Sequence, residues 1–172
     1  MQNGVSEDEL EISHTQIRRG RPHEEKAEFQ KNFDFIIPKY DEILLIGNSI
    51  GAYFSMLSLS EKPIKRAIFI SPVVNMENVI LNRMKLANVS EEELKAKKVI
   101  NASFGESLSW EYLSYVRKNP ITWNTSTSIL YGGKDNITSF KVKDNFANKI
   151  NADLTVLDNG EHWFHTDEQI GM

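Results

Sequence analysis

Apolar residues recur along this chain in two rhythms. Between residues 24 and 37, Ala27, Phe29, Phe33, Ile36 and Ile37 fall near one face of a 3.6-residue period, with Glu24 and Glu25 ahead of them. That spacing predicts a helix, and Pro38 ends it. Residues 43–47, Ile-Leu-Leu-Ile-Gly, run without a polar interruption, which predicts a strand buried on both faces of a parallel sheet. An apolar, helix-competent stretch follows and closes at Pro63. Residues 66–72 read as a second strand ending at Pro72, 127–133 as a third and 154–157 as a fourth. Residues 139–150 offer Phe140, Phe146 and Ile150 as the packing face of another helix. Strands alternating with helices from residue 43 onward predict an α/β protein with a mostly parallel sheet and flanking helices.

Two stretches depart from this alternation. Residues 10–17 alternate loosely and read as a strand ended by the basic turn 18–22. Residues 74–120, between the second and third strands, form a long, helical and aromatic insertion. Within it Ser90-Glu91-Glu92-Glu93 is a capping box, in which Ser90 accepts from the Glu93 N–H while Glu93 reaches back. Residues 108–118 make a further helix that stops before Pro120.

Composition narrows the class of function. A length of 172 residues suits one domain with a real core. Twenty basic against twenty-four acidic residues, net −4, speaks against a nucleic-acid surface. With no cysteine there is no disulfide, thiolate metal site or cysteine nucleophile. No apolar run reaches membrane-spanning length, and the acidic start lacks a secretory pattern, so the expected setting is cytoplasmic.

The candidate chemistry begins at Gly47-Asn48-Ser49-Ile50-Gly51, a Gly-x-Ser-x-Gly set between a strand and a helix. A serine that projects its hydroxyl above a sheet sits on a sharp turn whose flanking positions have no room for a Cβ. Ser49 then lies at a helix N-terminus, where the Ile50 N–H can hold an oxyanion. The plainer alternative is a tight βα turn whose serine only caps the helix. The chain carries no Gly-x-Gly-x-x-Gly fingerprint and no Walker-type Gly-Lys-Ser/Thr.

Two later loops leave strand ends where catalytic groups gather in open α/β sheets. The third strand ends in Gly132-Gly133-Lys134-Asp135-Asn136 and the fourth in Asp158-Asn159-Gly160-Glu161-His162. A serine hydroxyl needs a base to take its proton, and a histidine serves near neutral pH if a carboxylate fixes its tautomer. His162 is the candidate base and Asp135 its orienting acid. Singly, each has a plain reading as a turn or surface residue. Together, in the order Ser, Asp, His, they define a candidate triad. Rivals are His165, one helical turn from His162, and Asp158, which precedes the histidine closely. His162, His165 and Asp167 also have metal-ligand spacing, without an evident further ligand.

GNSIGA, LYGGKDNIT and NGEHWFH resemble the nucleophile elbow, acid loop and histidine loop of the α/β-hydrolase superfamily, over about residues 41–168. The resemblance implies an α/β-hydrolase-like domain over 1–172, abbreviated at its N-terminus, with 74–120 as a helical lid. Phe104, Trp110, Tyr112, Tyr115 and Trp123 are then candidates for an apolar acyl or alcohol pocket, or for packing within the lid. The resemblance favours His162 over His165, and places His14 and His23 outside the matched region. Only about forty residues precede the nucleophile strand. The family's earlier strands and its His-Gly oxyanion loop have no counterpart in them, so residues 43–47 are expected at an apolar edge. Either residues 10–17 or a second copy of the chain is expected to cover it. The activity implied is hydrolysis of a small carboxylic ester or thioester by Ser49, His162 and Asp135, without metal or organic cofactor. The alternative is an impaired hydrolase-fold protein with a binding role or none.

Overall fold

A computed structural model describes residues 22–164, with side chains from residue 26 onward. The order is α1 (Pro22–Ile36), a 3₁₀ turn (Ile37–Lys39), β1 (Leu44–Asn48), α2 (Ser49–Leu59), β2 (Arg66–Ile70), α3 (Met76–Leu86), α4 (Glu91–Lys97), β3 (Val99–Asn101), β4 (Ser107–Ser109), α5 (Trp110–Lys118), β5 (Thr127–Gly132), α6 (Phe140–Ile150) and β6 (Asp153–Leu157). Among the described residues four strands form a parallel sheet in the order β1-β2-β5-β6. Their carboxyl ends therefore lie along one rim, which is where Ser49, Asp135 and His162 enter.

The helix α2 organises the packing, because every residue in it except Ile50 is buried. A helix apolar on all sides belongs between two layers. On one side Ala52, Met56 and Leu59 meet Leu45, Ala67, Phe69 and Ile129 of the sheet, with Phe33 of α1 and Phe146 and Ala147 of α6. On the other, Tyr53, Phe54 and Leu57 meet Val73, Met76, Ile80, Met84, Leu94, Leu108, Leu113 and Val116 from the segment between β2 and β5. Phe29 joins this second cluster, so α1 spans both.

The reading of the first strand as buried on both faces is corrected. Along β1 burial alternates: Leu45 and Gly47 are covered, while Leu44 and Ile46 are each 69% exposed. The register explains it, since Leu44 and Ile46 stand beside Arg66 and Ile68 on the face opposite the α1, α2 and α6 residues. Among the described residues β1 is also an edge strand. The strand expected at residues 10–17 lies outside the described residues.

The segment between β2 and β5 is not wholly helical. β3 and β4 pair antiparallel, from Val99 opposite Ser109 to Asn101 opposite Ser107. Three-residue strands are too short to leave a periodic signal. Ser90 accepts from the Glu93 N–H at 3.1 Å as expected, but the Glu93 carboxylate takes Lys97 Nζ at 2.8 Å. Arg117 of α5 ties the segment together, donating to Glu77 of α3 and, with two nitrogens, to Glu91 of α4.

Candidate active site

The chain leaves β1 at Asn48 and enters α2 at Ser49 with φ at 51°, in the left-handed region that a non-glycine residue adopts at a cost. Close approach before it requires Gly47. A Cβ there would stand 3.0 Å from Ala52 Cα and 3.0 Å from Phe69 Cδ1, so strand and helix could not fold back so tightly. The Val73 N–H donates to the Ser49 carbonyl at 2.9 Å, tying the segment after β2 to this turn.

The loops after β5 and β6 are laced together. Gly133 N–H donates to Leu157 O at 2.8 Å and Lys134 N–H to Gly160 O at 2.9 Å. Gly132 faces Gly160 with no room between them: a Cβ on Gly132 would fall 2.6 Å from Gly160 O. This contact brings the loop that carries His162 against the loop that carries Asp135.

Ser49, His162 and Asp135 form one hydrogen-bonded chain. Ser49 Oγ lies 2.7 Å from His162 Nε2, and His162 Nδ1 lies 2.9 Å from Asp135 Oδ2. An ionised carboxylate only accepts, so Nδ1 carries the hydrogen toward Asp135, and in the neutral ring Nε2 is left to accept from Ser49. Ser49 is 6% and His162 2% exposed, and the Asp135 side chain is buried completely. Asp135 Oδ1 accepts from the Ile137 and Thr138 N–H groups at 2.8 and 3.2 Å, which fixes the carboxylate plane.

Lys143 of α6 was not singled out by the sequence. Its ammonium, with no exposed surface, also donates to Asp135 Oδ2 and stands 4.2 Å from the centre of the Tyr131 ring. Burial alone would raise the Asp135 carboxyl, but hydrogen bonds from His162, Lys143 and the Ile137 N–H, with the Lys143 charge, hold it well below the ordinary carboxylate range. Burial pushes the Lys143 ammonium below its ordinary value, against the pull of Asp135. A signal was present: Lys143 lies three residues before Phe146, on the face α6 turns inward, whereas Phe140, expected on that packing face, is 48% exposed at the start of the helix. A lysine in an apolar stripe calls for a buried anion.

The other singled-out residues are placed as follows. Ile50 is the second residue of α2, among the first four N–H groups that lack intrahelical acceptors. Trp110, Tyr112 and Tyr115 border the cluster between α2 and the inserted segment. Trp123 lies in the sheet-side core, its ring 5.6 Å from Phe69 and its indole donating to Thr127 Oγ1 at 2.8 Å. Phe104 is 41% exposed beside Arg83 in the β3–β4 turn. Asp158 offers its backbone carbonyl to the Gly133 contact. His14, His165 and Asp167, and the His23 side chain, lie outside what is described. Among the described residues no group of three or more His, Cys, Asp or Glu is arranged to hold a metal, and no helix is long and apolar enough to cross a membrane.

A parallel sheet, a strained serine turn at one strand end, and an acid and a histidine at the ends of two others define the α/β-hydrolase fold. Solved structures agree. The Butyrivibrio proteoclasticus esterase Est1E, determined with ferulic acid bound, superposes with a TM-score of 0.71 at 16% identity, over 90% of this chain and 66% of that one. Mouse alpha/beta hydrolase domain-containing protein 10 gives 0.64 at 15% identity, over 85% and 65%. An esterase from Pyrococcus furiosus gives 0.54 at 20%, over 80% and 53%. The chain thus spans about two thirds of the length of the first two. No family model matches the sequence. No curated protein matches it either.

Proposed function

We propose that this chain carries a serine-hydrolase site that cleaves a small carboxylic ester or thioester through an acyl-enzyme. The observation that carries the reading is the unbroken hydrogen-bonded chain from Ser49 through His162 to Asp135, built on a serine held at positive φ. His162 Nε2 takes the Ser49 proton as Oγ attacks the acyl carbon, and Asp135 stabilises the imidazolium. The oxyanion that forms is met by the Ile50 N–H at the start of α2. His162 then returns the proton to the departing alcohol or thiol. Water, activated by the same nitrogen, releases the acid and restores Ser49.

The segment between β2 and β5 serves as a lid in this reading, with Trp110, Tyr112 and Tyr115 nearest the packing that separates it from α2. The esterases among the matched structures support an acyl substrate. The test is hydrolysis of p-nitrophenyl acetate and butyrate by the parent, Ser49→Ala and His162→Ala. Turnover by the parent that falls at least a thousandfold in both variants supports the reading. Turnover that survives Ser49→Ala overturns it, and so does a folded parent without turnover or acyl-enzyme, which favours a hydrolase-fold protein used for binding.

A further inference from the structure

The loop that delivers His162 carries a second side chain outward beside it. Glu161–Phe164 closes as a turn, with the Phe164 N–H donating to the Glu161 carbonyl at 3.4 Å, so His162 and Trp163 are its two central residues. Phe164 leaves the turn with φ at 46°, a left-handed conformation that a phenylalanine adopts only at a cost. The three side chains show what that conformation secures. Phe164 folds back until a Cβ on Gly160 would stand 2.9 Å from its ring, and His162 is buried. Trp163, between them, is turned outward and 59% exposed, its ring edge-on to the His162 imidazole with 4.8 Å between centres. An exposed tryptophan is ordinary in itself. One that touches the candidate base, while a strained turn keeps it out of the core, is not accounted for by packing.

We propose that Trp163 is a specificity-determining residue that forms the wall against which the departing alcohol lies, and that the site takes esters whose alcohol portion carries an aromatic ring. This rests on reading Ser49, His162 and Asp135 as the catalytic set. When the acyl-enzyme forms, the bond between the acyl carbon and the ester oxygen breaks, and that oxygen takes the proton that His162 Nε2 received from Ser49. The ester oxygen must therefore come within hydrogen-bond reach of Nε2. Whatever hangs from it lies beside the imidazole that Trp163 borders, and it leaves toward solvent past the exposed indole, because Ser49 and His162 are themselves buried. The acyl group is placed differently. Its carbon bonds to Ser49 Oγ and its oxygen faces the Ile50 N–H, so it is directed toward α2 and the segment packed over that helix. An indole offers a broad flat face and a polarised edge, which favour an aromatic ring over an alkyl chain of similar size by about two- to tenfold in affinity.

The test uses the full chain, Trp163→Ala and Trp163→Phe, and reads kcat/KM, which covers departure of the alcohol. Benzyl and butyl acetate differ on the alcohol side, ethyl phenylacetate and ethyl butyrate on the acyl side. In Trp163→Ala the benzyl-over-butyl ratio is expected to fall about three- to tenfold, and in Trp163→Phe, which keeps an aromatic face, by no more than about twofold. The acyl-side ratio is expected to stay at its parental value in both. A benzyl-over-butyl ratio that survives Trp163→Ala, or a fall matched on the acyl side, overturns the proposal and leaves the hydrolase reading standing. Binding without turnover separates the two claims. The Trp163 indole N–H signal, assigned by its loss in Trp163→Phe, is followed by NMR as benzyl alcohol or butanol is added. If the parent neither labels with a fluorophosphonate nor turns over an ester, yet this signal moves with benzyl alcohol at concentrations where butanol leaves it in place, the hydrolase reading fails while the aromatic subsite stands. A signal that answers both alcohols alike, or neither, overturns the proposal.

Discussion

The contact between Gly132 and Gly160 offers a way to move the candidate base without touching it. A methyl group at position 132 would stand 2.6 Å from Gly160 O and 2.7 Å from Glu161 O, both backbone atoms. Ordinary contact begins near 3.4 Å, so the acid and histidine loops must separate by about 0.7–0.8 Å. His162 follows Glu161 directly, and its Nε2 stands 2.7 Å from Ser49 Oγ. Displaced by the whole of that amount along the bond, it would stand at about 3.4–3.5 Å, at the weak edge of hydrogen-bond range. Overpacking of this kind costs about 1–3 kcal/mol, and a misplacement near 1 Å costs on the order of a hundredfold in rate. Gly132→Ala is therefore expected to lose about 1–3 kcal/mol in urea denaturation and about ten- to a hundredfold in the rate of Ser49 labelling. Gly105→Ala is the control: it lies at φ 83° with open space around it, so it carries strain but does not touch the site. Its labelling rate is expected to match the parent. A Gly132→Ala protein with parental stability and labelling would refute the argument that this contact positions His162.

Three further outcomes follow from the same geometry. Asp135→Asn removes the tautomer lock and leaves Lys143 without an anion; it is expected to cut kcat by about 10⁴ and to cost about 3–5 kcal/mol, read by ester hydrolysis and denaturation in parallel. Because the folded state holds the Asp135 carboxyl below its unfolded value of about 3.9, its stabilisation is present above that pH and fades as pH falls toward the depressed folded value. Urea midpoints between pH 5 and 3 are expected to fall more steeply in the parent than in Asp135→Asn; equal slopes would show that this carboxyl is not the source. On the sheet face that the described residues leave uncovered, Ile46→Lys is expected to change stability by less than about 0.5 kcal/mol and to lower light scattering, because Ile46 is 69% exposed. If a second copy covers β1, sedimentation will show a dimer that this substitution dissolves; a large loss of monomer stability would instead show the face packed within one chain.

The strands and their order of chemistry were legible because each signal is local. Gly47-x-Ser49-x-Gly51 closes an unbroken apolar run, and Asp135 and His162 lie in the short loops that leave β5 and β6, so placing the strands places the side chains. What escaped depends on partners distant in sequence. The run at residues 43–47 looks fully buried, yet whether Leu44 and Ile46 are covered depends on what packs over the second face, which the run does not encode. Trp123 reads as a pocket aromatic until Phe69 and Thr127 surround it. Lys143 reads as one of several lysines on a helix until α6 is docked and its ammonium meets Asp135. The short hairpin of β3 and β4 has too few residues for any period to show.

The central claim is that Ser49 is an activated nucleophile, and labelling of the purified chain with a fluorophosphonate probe tests it most directly. The parent is expected to gain one covalent adduct, mapped by mass spectrometry to the peptide containing Ser49, with Ser49→Ala and His162→Ala unlabelled under the same conditions. A folded parent that takes up no probe, or an adduct that persists in Ser49→Ala, would contradict the account.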